Sequence, residues 1–354
     1  MICLVLPKLL IFLRMLPPTF EDIVAARKFI SAYLPKTPLV RVERISEQLG
    51  CDYYAKLENL QPVGAFKVRG GVNLVGNVRT VNGGESNQAT QRTPLITAST
   101  GNHGQSIAYG GRLFDTRVLI YAPTENVNES KMQAMRDLGA EVRLHGRDFD
   151  EARLECERVA SEEGFRYVHS ANEPQLIAGV GTIGLEIFED LPDVDVIIAP
   201  AGGGSCASGN CIVADRLNPN VRVIAVQSEA APAMWHAWRN RALDPYPAMN
   251  TEHEGLATRV PFEMTNKILW ELLEDFVLVS DEEINEAIRL LARDAKQVAE
   301  GAGAASLAAA IKLRDRNEQG SSPTVREGLR GKKVVGILTG GNIPLERLAA
   351  LMTR

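Results

Sequence analysis

From about residue 53 onward, short apolar runs alternate with longer stretches whose apolar residues recur at helical spacing. Runs at 53–57, 94–98, 117–121, 141–144, 194–199, 221–226, 276–279 and 333–338 read as strands. Helical patterns lie between most of them, among them 128–138, closed by Gly139, and 281–299. Upstream, Thr19-Phe20-Glu21-Asp22 has the form of a capping box, with Asp where Glu or Gln is usual. Strands alternating with helices imply an α/β fold, with parallel sheets covered on both faces.

Two polar stretches interrupt the pattern. Residues 79–92, rich in Gly, Asn and Gln, and 316–331, rich in Gly and Ser, read as surface loops. Only a short tail follows Leu338, so neither a C-terminal regulatory unit nor feedback by an end-product amino acid is expected. The first fourteen residues, MICLVLPKLLIFLR, are apolar but shorter than the ~20 residues that span a bilayer. They have neither the basic start nor the small-residue cleavage site of a signal peptide. Met15 follows directly, and translation is expected to begin there, residues 1–14 being a mis-assigned start or a disordered leader; a membrane-surface anchor is the alternative.

Composition narrows the class. The chain has 354 residues, 45% hydrophobic and 23% charged, which suits a globular protein with room for two domains. A net charge of -5, with no basic stripe, argues against nucleic acid as a partner. Five scattered cysteines without a CxxC suggest neither a disulfide framework nor a zinc site, and fit a reducing, cytoplasmic compartment.

Four short motifs carry candidate chemistry. Lys67 lies in Ala65-Phe66-Lys67-Val68-Arg69-Gly70-Gly71. An amine in apolar surroundings beside another cation has a lowered pKa and can attack a carbonyl. Alone, such a lysine reads as an exposed residue at a helix start. Ser99-Thr100-Gly101-Asn102-His103-Gly104-Gln105 leads from a strand into a helix. That turn offers hydroxyls and backbone N–H groups to a carboxylate or phosphate, or simply caps the helix. Gly202-Gly203-Gly204-Ser205 also joins a strand to a helix, and three glycines allow close approach to an anion. No lysine follows as in a nucleotide triphosphate loop, so a single phosphate fits better. Thr339-Gly340-Gly341-Asn342 closes a strand, where a hydroxyl would face the crevice of an open sheet. A fifth match, Gly179-Val180-Gly181-Thr182-Ile183-Gly184, lacks a preceding strand and reads as helix rather than a dinucleotide site.

Taken together and in this order, the four motifs resemble those of the pyridoxal-phosphate enzymes of the tryptophan-synthase-β fold type. Within that group they are similar to threonine/serine dehydratases and serine racemase. The resemblance runs from about residue 19 to the end of the chain. It implies two open, twisted α/β domains with pyridoxal 5'-phosphate in the cleft between them. The large domain would comprise 15–92 and 169–354, and a small mobile domain 93–168. Lys67 would hold the cofactor as a Schiff base and later take the substrate's Cα proton. Phe66 would flank the ring, Asn102 would bond its 3-hydroxyl and Thr339 its nitrogen, and Gly202, Gly203, Gly204 and Ser205 would cradle its phosphate. Ser99, Thr100, Gly101 and His103 would receive the substrate, His103 without a catalytic role. A homodimer is implied too.

The implied reaction is β-elimination from a 3-hydroxy amino acid: L-threonine to 2-oxobutanoate and ammonia, or L-serine to pyruvate. A neutral hydroxyl at the ring nitrogen would not protonate it, favouring prompt loss of the β-hydroxyl. This chain departs from the group's pattern at several places. Ala65 replaces the usual serine before Phe-Lys, and Ser205 replaces a fourth glycine. Gln227 stands where serine racemase has a metal-binding glutamate, so no metal is expected. Thr100 stands where racemases use a serine as the opposite-face acid/base, which makes racemisation less favoured. His253-Glu254-Gly255 resembles the substrate-side loop. Racemisation, β-replacement by an external nucleophile, a larger or charged β-substituent, and a silent cofactor-binding protein stay open at this stage.

Overall fold

The structure, a computed structural model, describes residues 16–78, 80–81, 91–125, 128–318 and 328–353. The leader and most of both polar loops lie outside these residues. All eight expected strands form, with ends shifted by a residue or two. The sequence reading missed Leu39–Arg41 and Arg166–Tyr167, and also Thr80–Val81 and Gln91–Arg92, which pair antiparallel at the two ends of the stretch read as the 79–92 loop; all are too short to show a period.

The larger sheet has six strands in the order Leu39–Arg41, Asp52–Leu57, Lys333–Leu338, Val196–Pro200, Arg222–Ser228 and Asp275–Val279. Only Leu39–Arg41 runs antiparallel to its neighbour. Alternate residues feed two cores. Val196, Ile198 and Val334 pack on one face, and Ile197, Ala199 and Val335 on the other. Burial on both faces is why these strands read as unbroken apolar runs. The smaller sheet, in the order Glu141–Leu144, Val118–Ala122, Leu95–Ala98 and Arg166–Tyr167, is wholly parallel.

Local chemistry fixes the elements as expected in two places. The Asp22 carboxylate accepts from the Thr19 backbone N–H (2.8 Å), and the Thr19 hydroxyl accepts from the Asp22 N–H (3.2 Å), completing the capping box. Gly179, Gly181 and Gly184 do lie inside a helix, Pro174–Asp190. A Cβ on Gly179 would come within 2.6 Å of the Arg69 carbonyl oxygen, so the spacing serves close helix packing.

The helix expected over 281–299 is shorter. Asp281–Leu290 ends in a single wide turn, Leu291–Ala295, and Lys296 adopts a left-handed conformation (φ 57°). Asn59 then donates its side-chain amide to Gln297 Oε1 (3.0 Å) and to the Val298 carbonyl (3.2 Å), and the Glu300 N–H donates to the Gly340 carbonyl (3.0 Å). These bonds replace helical ones and carry Glu300 to the sheet's carboxyl edge. No Gly or Pro before Gly301 marks the break.

One feature lies beneath this edge that the sequence did not signal. Arg69 is buried, and its guanidinium donates to both Glu58 oxygens (2.7 and 2.8 Å), to both Glu186 oxygens (2.8 and 2.7 Å) and to the Thr182 and Thr37 hydroxyls. Lys56, also buried, donates to Glu186 at 2.7 Å. Burial alone would raise the Glu186 carboxyl, but Arg69 and Lys56 pull it down to about 2. Arg69 is therefore not the cation beside the Lys67 amine that the sequence suggested; its charge is spent on two carboxylates.

Candidate active site

Parallel register aligns the carboxyl ends of neighbouring strands: Leu338 lies opposite Leu57, and Gly336 opposite Ile198. The loops after these strands therefore emerge along one edge, where ligands of open α/β sheets sit. Lys67 opens the helix Lys67–Gly76 just past that edge. Its loop is stitched to the end of the central strand. The Phe66 N–H donates to the Thr339 carbonyl (2.9 Å), the Gly341 N–H donates to the Gly64 carbonyl (2.9 Å), and Ala65 bridges Gly340. The backbone thus fixes Lys67, and the serine absent at position 65 is not needed for its placement.

The Lys67 amine lies 5.2 Å from the centre of the Phe66 ring and opens on a cavity of about 430 Å³. Burial lowers the amine from 10.5 to about 8, with Cys206 partly offsetting the effect. An amine titrating there is a substantial fraction neutral near pH 8, as a nucleophile toward an aldehyde must be. The same cavity is lined by Phe66, Ser99–His103, Gly202, Gly203 and Thr339. All four motifs therefore meet in one cleft, with Gly204 and Ser205 at the start of the adjoining helix Ser205–Leu217.

Each motif has a distinct local state. Gly204 takes φ 84°, and the first-turn N–H groups of the helix Ser205–Leu217 have no intrahelical acceptor. Those donors and the helix dipole favour an anion. Thr339 is 2% exposed and lines the cavity, and no side-chain partner meets its hydroxyl among the described residues. Ser99 spends its hydroxyl on capping: it accepts from the Gly104 N–H (2.9 Å) and the Gly101 N–H (3.2 Å). The Ser99 hydroxyl is thus engaged within the loop, whereas no partner meets the Thr100 hydroxyl among the described residues. The Thr97 hydroxyl donates to the Val168 carbonyl (2.8 Å), so it must accept from His103 Nε2–H (2.9 Å). Burial, then the nearby Lys67 and His169, lower the His103 imidazole to about 3, so it stays neutral.

Asn102 bridges the two sheets. Its amide donates to Glu300 Oε1 (2.6 Å), and its oxygen accepts from Asn342 Nδ2 (2.8 Å). One Nδ2 hydrogen remains for a ligand in the cleft. Burial raises the Glu300 carboxyl. Neither Glu300 nor His169, whose Nδ1 accepts from the Ala171 and Asn172 N–H groups, was foreseen. Asn342 lay within a recognised motif, which was a usable signal.

Gln227 is buried; its Nε2 donates to the Leu256 carbonyl (3.5 Å) and its Oε1 accepts from the Trp235 N–H (3.2 Å). Among the described residues, Glu252, His253 and Asp281 place ligand atoms within 4.8 Å of one another. Asp281 already accepts from the Ser228 and Thr251 hydroxyls, and Glu252 from Asn285 and Arg347.

A lysine of lowered pKa, a helix start that favours an anion and a buried hydroxyl in one cleft fit a phosphorylated aldehyde cofactor. Residues 30–340 match the pyridoxal-phosphate dependent enzymes, and the chain belongs to that family. It is 35% identical to an L-threonine ammonia-lyase of Thermotoga maritima over 95% of this chain and 78% of that one. It is similar to the processed threonine deaminase isoform 2 of Solanum lycopersicum (TM-score 0.82, 27% identical, covering 95% of this chain and 94% of that one). Maize serine racemase is as similar (TM-score 0.83, 27% identical, 95% and 97%). These likenesses carry the tryptophan-synthase-β type of fold.

The Gly202–Ser205 turn gives a direct test of cofactor fit. A Cβ on Gly202 would collide with the Gly255 carbonyl oxygen, forcing the glycine loop or the 253–259 loop to move. We predict that Gly202→Ala folds normally but binds pyridoxal phosphate about 10-fold more weakly or worse, as expected when a close-packed loop must shift. Equilibrium dialysis of the cofactor, with circular dichroism as the folding check, measures this.

Proposed function

We propose that this chain is an ammonia-lyase that eliminates water from L-threonine, giving 2-oxobutanoate and ammonia, and from L-serine, giving pyruvate. The observation that carries the reading is the convergence of the Lys67 amine, the Gly202–Ser205 turn, the Thr339 hydroxyl and the Thr100 loop on one cleft. The likeness to the Thermotoga maritima L-threonine ammonia-lyase supports the same substrate.

Bound pyridoxal phosphate supplies an electron sink for the pair left at Cα. The glycine turn and helix start would hold its phosphate, Phe66 would lie along the ring, Asn102 would bond the 3-oxygen and Thr339 would face the ring nitrogen. Thr339 offers an uncharged hydroxyl, which leaves that nitrogen without a proton. Thr100 and the N–H groups of its loop orient the substrate carboxylate. Lys67 Nζ takes the Cα proton. The Cα proton and the β-hydroxyl together make one water; the enamine left behind takes a proton from water at Cβ, and addition of water to the resulting imine releases ammonia and the 2-oxo acid.

Incubation of the purified holoenzyme with L-threonine is expected to yield 2-oxobutanoate and ammonia in equal amounts. Accumulation of D-amino acid without any 2-oxo acid is the outcome that sinks the lyase reading. Racemisation is a second reading, because the Thr100 hydroxyl is unpartnered and could reach Cα opposite Lys67; a chiral assay of L-serine incubations measures it. The family resemblance also supports a homodimer in the cytoplasm, with residues 93–168 as a mobile lobe. Among the described residues, no helix is long and apolar enough to cross a membrane.

A further inference from the structure

The loop assigned to the substrate carboxylate contains hydroxyls and N–H groups but no cation. Four cations line the cleft: Lys67, Lys131, Arg153 and Arg259. Lys67 is committed to the cofactor. Arg259 pairs with Asp150 (3.4 Å), and Arg153 with Glu157 (2.8 Å) and Asp150 (3.7 Å). Lys131 is the remaining one. It lies on the helix Glu129–Asp137, and its side chain is only 12% exposed.

Three facts set Lys131 apart. Its Nζ makes one ion pair, with Glu254 Oε2 at 2.7 Å, although an ammonium has three donors. Glu254 is itself 53% exposed, so its carboxylate keeps much of its water and the pair is weak. A Cβ built on Gly101 would lie 3.9 Å from Lys131 Nζ and meet no other atom within 4 Å. The absent side chain leaves open space between the ammonium and the carboxylate loop.

We propose that Lys131 is the charged partner of the substrate's α-carboxylate, and that Glu254 holds its ammonium in place until substrate arrives. This rests on the reading that the cleft takes an amino acid. A carboxylate that enters the cleft loses water and gains more from Lys131 than Glu254 does at the surface. Lys131 is then a specificity-determining residue, selecting amino acids with a free carboxylate. Glu254 competes with the substrate for the same charge. The rival account makes the Lys131–Glu254 pair a strut between the two lobes. The accounts differ in sign, because removing a competitor tightens binding whereas removing half of a strut does not.

The test uses the holoenzyme and two ligands without a β-hydroxyl, L-alanine and L-alaninamide, which bind without eliminating. Dissociation constants come from the change in the cofactor's visible absorbance. Lys131→Met is expected to weaken alanine about 10-fold or more while hardly changing alaninamide, as for loss of a hydrogen bond between charged groups. Lys131→Arg should keep most of the preference for alanine. Glu254→Gln should tighten alanine about 2- to 5-fold. The proposal is overturned if Lys131→Met weakens both ligands alike, or if Glu254→Gln weakens alanine. Should Lys131→Met fail to fold, the sign of the Glu254→Gln effect still decides. A wild-type holoenzyme that responds to neither ligand overturns the amino-acid reading itself, and this proposal with it.

Discussion

If Lys67 has the roles proposed for it, Lys67→Ala is expected to lower turnover of L-threonine by about 10⁴-fold, the upper range for loss of a positioned acid–base group. The visible band of the bound cofactor should vanish, while the Gly202–Ser205 turn should retain weak affinity for free pyridoxal phosphate. Removing a buried amine leaves no carboxylate stranded among the described residues, where Lys67 makes no ion pair. The variant should therefore unfold at a temperature close to wild type. A companion measurement uses the unmodified chain. The rate at which cofactor-free protein captures pyridoxal phosphate should rise with pH and level off just above 8, because burial has lowered the amine to about 8 from 10.5. An exposed lysine would keep accelerating toward 10.5. Retention of the visible band in Lys67→Ala is the result that defeats the assignment.

The second large effect concerns folding. Arg69→Met should lower stability by about 3–5 kcal/mol, because it leaves two buried carboxylates without their main partner. Domains are stable by only about 5–15 kcal/mol, so the midpoint of thermal unfolding should fall by roughly 10 °C or more, and soluble yield should drop. Arg69→Lys should recover part of the loss but not all, because one ammonium cannot fork to two carboxylates. The acid limb offers an independent check. Glu186 is held at about 2, below its unfolded value near 4.5, so its contribution is complete above 4.5. It is lost as pH falls from there toward 2. In Arg69→Met that depression shrinks, and stability should fall less steeply between pH 4.5 and 2. An Arg69→Met protein that melts like wild type would falsify the structural role.

The α/β fold was legible because buried parallel strands are apolar at consecutive positions, as in 196–200 and 333–338. Three of the four motifs were legible because each follows a strand directly, where chemistry and sequence spacing coincide; the Lys67 motif instead opens a helix after a short 3-10 turn, Glu58–Leu60. Two kinds of feature were not legible. The end of the helix expected over 281–299 depends on bonds from Asn59 and Gly340, residues far away in the chain. Glu300 therefore could not be placed in the cleft in advance. The partners of Arg69 are likewise scattered, at Glu58 and Glu186, so an arginine two positions from Lys67 looked like an influence on its amine. Ser99 shows the converse: a motif residue whose hydroxyl serves the helix start. For Glu300 and Arg69 the deciding contact joins segments that a local pattern cannot pair, whereas for Ser99 it lies within the motif itself.

The central strand Lys333–Leu338 couples two properties of the molecule. It inserts between Asp52–Leu57 and Val196–Pro200, and the residues that follow it grip the turn before Lys67. A substitution that loosened this one strand would therefore part the sheet and release the Lys67 turn together, so cofactor affinity should track the local stability of the sheet's centre.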